Sequence, residues 1–295
     1  MGTRVTYRGY SVDERQIALI QEVVERLWER GRSAISVELC RQWDWRQPNG
    51  ALKDIACRGL LLKLERAGSI RLPPTKRATF YPGRTRPHPE PCRIDTRPIE
   101  GPLGDWLPIE WVQVRRRGTQ EALFNSLIAS YHYLGYSQTV GEHLKYLAFS
   151  RGRLLACLSW GSAAWRVACR DRFIGWDDTA RERNLYRVIN NTRFLVLPFV
   201  RIPNLASYLL SRNLRLLLAD WERIYAHRPV LLETFVQTPF VGTCYKAANW
   251  IRLGVTQGRG KYDRYKRKDK PVKAVFVYPV HKQFRGLLCD GQKGS

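Results

Sequence analysis

Apolar positions near the start of the chain recur at helical spacing. Ile17, Ile20, Val23, Val24 and Leu27 predict an amphipathic helix running to about Arg30. Ser11-Val12-Asp13-Glu14 reads as its capping box, and Gly31 closes it. A second helix is expected from Ser36, with Leu39 and Cys40 turned inward. A third runs from Lys53 to Ala67 on a buried stripe of Ile55, Ala56, Leu60, Leu61 and Leu64. Gly68 stops that helix, and Ser69 to Pro74 reads as one wing strand. Residues 1–72 thus carry the pattern of a winged helix-turn-helix.

From Pro73 the pattern breaks. Prolines recur among Arg, Gly and His, so residues 73–106 read as an extended cationic linker. Periodicity then returns over residues 107–281. Strands are expected at Leu107–Val114, Thr192–Leu197, Val230–Val236 and Val272–Tyr278, with a hairpin of Leu144–Ser150 and Leu154–Trp160 around Arg151-Gly152-Arg153. Helices are expected at Thr119–His132, Pro203 to about Ala226, and Cys244–Leu253. Residues 282–295 form a tail. The class is α/β (α+β): a winged helix followed by a mixed-sheet domain.

Composition suggests the partner. The 295 residues include 50 Lys plus Arg against 26 Asp plus Glu, a net charge of +24, which favours a polyanion. Read with the N-terminal pattern, that polyanion is DNA. Arg46, Gln47 and Asn49, just before the third helix, and Lys53 and Arg58 at its start would face bases or phosphates, and Arg71 would lie on the wing. A second contact is expected over residues 252–273, where Arg252, Arg259, Lys261, Arg264, Lys266, Arg267 and Lys268 are interleaved with Tyr262 and Tyr265. The alternatives are a solvated basic surface and a winged helix used for protein contact. Seven cysteines without a C-x-x-C pair argue against a disulfide framework or a zinc module. No leader and no membrane-length apolar run is evident, so a cytoplasmic, non-membrane protein is expected, its oligomeric state open.

The element order of residues 107–280 resembles the fold of the GNAT acetyltransferases. In that family the turn at Leu197–Asn204 would cradle the pyrophosphate of acetyl-CoA. Here it is Pro198-Phe199-Val200-Arg201-Ile202-Pro203, without glycine and with two prolines that lack N–H groups. Acetyl-CoA is therefore not expected. A second resemblance covers nearly the whole chain. Trp45-Arg46-Gln47-Pro48-Asn49-Gly50, His132-Tyr133-Leu134-Gly135, Asp171-Arg172-Phe173-Ile174-Gly175-Trp176, Asn191-Thr192-Arg193-Phe194-Leu195, Leu232-Glu233-Thr234-Phe235, Gly242 to Trp250 and Gly258-Arg259-Gly260 look like the DruA family. That family is named for a component of the Druantia anti-phage system, and its relatives are sometimes joined to transposase domains. The resemblance implies defence or mobile DNA, with other proteins of such systems as partners.

Candidate chemistry follows from two places. Glu233 lies within an apolar strand run, where a carboxylate needs a partner. It is a candidate general base or, with Asp171 and Asp178, a ligand of Mg²⁺ for phosphoryl transfer; the alternative is an ion pair with Arg193. Tyr245 is a candidate nucleophile for a DNA–tyrosine link, with Arg193 and Arg259 stabilising the transition state; the alternative is a core aromatic. The function expected is DNA binding with strand cleavage or transfer. The alternatives are a non-catalytic DNA-binding subunit that recruits an effector, and, against the missing glycines, an acetyltransferase.

Overall fold

The computed structural model describes residues 5–7, 10–46, 50–74, 89–114, 118–258 and 271–289. They divide into two compact units, Met1–Thr85 with Ile224–His227, and Arg86–Arg223 with Arg228–Ser295.

The first unit opens with a two-stranded antiparallel pair, β1 (Val5–Tyr7) and β2 (Tyr10–Val12). Helix α1 (Glu14–Arg26) is capped by Asp13 instead of Ser11: Asp13 accepts from the Gln16 N–H, and the Gln16 side chain returns the bond to the Asp13 N–H. The same capping chemistry is present two residues later than the sequence reading placed it. Helix α2 (Arg32–Gln42) starts at Gly31, one turn before Ser36, whose hydroxyl instead bonds back to Ser33 O inside the helix. Helix α3 (Asp54–Arg66) buries Ala56, Cys57, Leu60, Leu61 and Leu64 against Ile20, Val23, Leu39 and Cys40. Ile55, expected inside, is 69% exposed. After α3 there is no wing strand among the described residues. The main-chain groups that would pair are spent on side chains: Ser69 O accepts from Gln21, Pro73 O from Arg32, and Leu72 N–H donates to Glu65.

The second unit begins inside the expected linker. Residues 89–106 are tied to the body: Cys92 N–H donates to Ser126, Asp95 pairs with Arg97 and Arg153, and β3 (Ile99–Glu100) pairs in parallel with β8 (Val200–Arg201). The main sheet has seven strands. They are β4 (Glu110–Gln113), β5 (His143–Ser150), β6 (Arg153–Ser162), β7 (Val188–Val196), β9 (Leu231–Gln237), β10 (Ile251–Val255) and β11 (Lys273–Pro279), in the spatial order β10-β11-β9-β7-β6-β5-β4. All neighbours are antiparallel except β7 and β9, which run parallel. The helices are α4 (Thr119–Tyr131), α5 (Ala168–Ile174), α6 (Asp178–Asn184), α7 (Leu205–Tyr225), α8 (Thr243–Ala247) and α9 (Phe284–Cys289).

The class is the mixed α/β expected, with two differences in detail. The helix read at Cys244–Leu253 stops at Ala247, and Ile251–Val255 is an edge strand. Residues 284–289, read as tail, form α9, whose Phe284 and Leu288 pack beside Ile174, Val230 and Val277. The parallel seam is short: Val188–Asn191 opposite Leu231–Thr234. Beyond it β7 and β9 each continue, to Val196 and Gln237, without pairing to one another. A crevice at the carboxyl ends of parallel strands is where open α/β sheets most often take a ligand.

Candidate functional site

Glu233 sits on β9 with no solvent exposure. Its partner is Arg170 of α5, equally buried, with Nη1 2.9 Å from Oε2; Oε1 accepts from the Ala164 N–H at 2.9 Å. The pairing with Arg193 expected from the sequence is replaced by this one. Asp171 is brought in on the other side of the same guanidinium. Its Oδ1 accepts from Arg170 Nε and Nη2 and from Trp176 Nε1, and its Oδ2 from the Val167 N–H. Burial works against charge on Arg170, but the two carboxylates outweigh it and raise its pKa above the usual value.

The guanidinium thus lies between Glu233 and Asp171, and the carboxylate oxygens of both face N–H donors. That arrangement fits an ion-pair network better than a bound cation. Asp178 is elsewhere: exposed, paired with Arg166 and Arg181, its carboxyl held below the usual range chiefly by Arg181. Among the described residues, no three His, Cys, Asp or Glu side chains gather as a metal centre would need.

Tyr245 on α8 is buried among Phe194, Trp250 and Phe276. Its hydroxyl donates to Asn191 Oδ1 at 2.6 Å, and burial pushes the phenol well above its usual pKa. A phenol so held is a poor nucleophile. Arg193 stands on β7 beyond the seam. It donates to Gly135 O, Thr192 O and Ser137 Oγ, all neutral acceptors. Arg259 lies outside the described residues, as do Gln47, Asn49, Lys261, Arg264, Lys266, Arg267 and Lys268.

In the first unit, α3 turns Ile55, Arg58, Gly59 and Arg66 to one side, opposite its buried stripe, while Leu62 packs against the core. Arg58 is 40% exposed and pairs with Asp54 at 2.8 Å. Arg46 pairs with Asp44 and donates to Gly50 O. Arg71 is exposed beside the Trp28 ring, and Arg252 is exposed on β10.

Residues 93–269 match the family described as Druantia protein DruA, more than half of the chain. The chain belongs to the DruA family. The matched span holds Glu233, Asp171, Tyr245, Arg193 and the crevice between β7 and β9, and leaves the three helices of the first unit outside. No curated protein matches this DruA-family chain. Among solved structures, it is similar to the Drosophila melanogaster polyamine N-acetyltransferase (13% identity, 59% of this chain, 100% of the other, TM-score 0.36). It is also similar to the Escherichia coli ribosomal-protein-S18-alanine N-acetyltransferase (10% identity, 59% and 94%, TM-score 0.35). Likeness at this level carries nothing about activity.

Two residues of the DruA-family chain were missed by sequence reasoning. Arg170, sixty-three positions from Glu233, offers no sequence signal of that pairing. Lys273 was seen only as one of many cations, although its place at the start of an apolar strand set it apart.

Proposed function

We propose that this DruA-family chain is a DNA-binding protein of an anti-phage defence system or a mobile element, working as a binding subunit that recruits an effector. The observation that carries the reading is the outward stripe of α3. Arg58 and Arg66 lie on it within reach of phosphates or base edges, and the exposed Ile55 offers an apolar contact of the kind that reads a thymine methyl. Gly59 stands mid-stripe, where it costs the helix about 1 kcal/mol against Ala and permits close approach of the backbone. The net charge of +24 supports the same partner. Strand cleavage finds less support, because Glu233 and Tyr245 are both internal and engaged.

The test is duplex binding by the full chain and by the double variant Arg58→Ala/Arg66→Ala, over a salt series. A lost base contact is worth about 1–3 kcal/mol, and a lost phosphate contact lowers the salt slope by about one. Unchanged affinity and unchanged slope would remove α3 from the interface.

A further inference from the structure

Beyond the β7–β9 seam stand cations that no carboxylate among the described residues answers. Arg193 on β7 lines a cavity there, and Lys273 on β11, in register with Gln237 at the end of β9, lies close enough to Arg193 for the two charges to repel. Among the described residues no carboxylate lies within ion-pair distance of either. His132, at the end of α4, is buried beside them. Burial, then Arg193 and Lys273, lower its pKa to about 4, so its ring is neutral at neutral pH. Nδ1 accepts from the Leu134 N–H, which leaves Nε2 as the ring's N–H. Burial, then Arg193, also depress Lys273. Cations that raise one another's energy in a partly buried crevice are a standing demand for an anion.

Two further features describe that anion. Beside Arg193 opens a cavity of about 130 Å³ whose lining includes the hydroxyls of Ser137, Thr139, Ser159 and Thr192, groups able to hydrogen-bond phosphate oxygens, together with Phe124, Ile128, Asn125 and Lys145, the last already paired with Glu121. At the crevice mouth stand exposed aromatic rings. Tyr133, 47% exposed, stacks on His132 at 4.8 Å and meets Phe240, 54% exposed, at 4.9 Å. Gln237, in register with Lys273 and bonded through its main chain to Tyr133, has a buried Oε1 without a hydrogen-bond partner. A phosphate beside a planar heterocycle with hydrogen-bonding edges satisfies all three.

We propose that this crevice binds a phosphorylated nucleoside, as a free nucleotide or as one nucleotide of a single strand. Arg193 and Lys273 hold the phosphate, Tyr133 and Phe240 stack on the base, and Gln237 meets its edge. The site extends the DNA-binding reading to unpaired strands and stands or falls apart from the α3 interface.

The experiment is fluorescence titration of the full chain with a short oligothymidine, with thymidine monophosphate and with inorganic phosphate. Oligothymidine and the mononucleotide tell strand from free nucleotide, and binding of either supports the proposal. Tyr133→Ala should weaken the binding by about 5- to 100-fold, the range of a lost stacking contact, and Lys273→Gln should weaken it and lower its salt dependence, as loss of a phosphate contact does. Lys273→Arg should retain it, and thermal melts of each variant show that the fold persists. Duplex binding should be unmoved by these changes, and oligothymidine binding unmoved by Arg58→Ala/Arg66→Ala. The proposal is overturned by failure of both nucleotide probes to bind, by binding indifferent to Lys273 and Tyr133, or by inorganic phosphate binding as tightly as thymidine monophosphate.

Discussion

Two charged clusters in the second unit share one strand. Glu233 and Gln237 are four residues apart on β9 and point to the same face. Around Glu233, the single Arg170 is bracketed by two carboxylates and roofed by the Trp176 ring. Around Gln237, Lys273, Arg193 and His132 face one another with no carboxylate among the described residues. In the first cluster every charged group has an oppositely charged partner, and in the second the cations have none among the described residues. Burial alone would have ranked them the other way, since Glu233 and Arg170 are the more buried. What marks a binding site is charge and hydrogen-bonding capacity left unspent, and a deeply buried carboxylate with both oxygens engaged has none to give.

The strongest way to break this contrast is Glu233→Gln. If the cluster is a closed ion pair, the variant leaves Arg170 buried with one counter-charge and loses roughly 3–5 kcal/mol of stability, read as a lowered thermal midpoint. An unaltered midpoint together with loss of a DNA-cleaving or DNA-joining activity would return Glu233 to the catalytic role.

The pH dependence of stability tests the second cluster. His132 has its folded pKa lowered to about 4 from a usual 6.5. The unfolded chain therefore takes up the proton first, and stability falls as pH drops from about 6.5 towards 4, by about 3 kcal/mol at 1.36 kcal/mol per unit. Above that window the contribution is complete. Denaturant unfolding at several pH values should show the decline, and His132→Gln should flatten it; an identical decline in the variant would place the titration elsewhere.

The smallest effect expected is the most discriminating. Lys273→Gln removes a cation that its surroundings disfavour, so stability should stay within about 0.5 kcal/mol of the parent. A large loss, of the kind expected at Glu233, would mean that Lys273 is answered by a partner and that the crevice is closed after all.

Much of the architecture was legible in the sequence because its signals are local. Gly152 between two apolar runs marks the β5–β6 hairpin, and Leu205, Leu209, Leu217 and Trp221 supply the buried face of α7. Of the two edge strands of the main sheet, β4 was legible and β10 was not. Ile251–Val255 is mostly exposed and follows a helical turn, so its apolar residues continue a helix pattern as readily as they begin a strand. The wing failed for another reason: Ser69 to Pro73 forms no strand, and the side chains of Gln21, Arg32 and Glu65 claim its main-chain groups. The candidate site was legible by residue type and not by pairing. Glu233 was picked out correctly as a carboxylate in need of a partner, and Arg193 as a notable cation, yet they belong to different clusters. Such assignments depend on how β7 and β9 diverge, which no local pattern encodes.

That divergence also has a mechanical side. Four residues of β7 against four of β9 are the whole ladder joining a four-stranded half of the sheet to a three-stranded half. The main-chain link between the halves is thus short, and Thr234 and Tyr245, both bonded to Asn191, reinforce it from the β9 side. Arg193 rides on the larger half and Lys273 on the smaller. A phosphate gripped by both would act as a strap between the two halves, beyond the point where their own ladder ends.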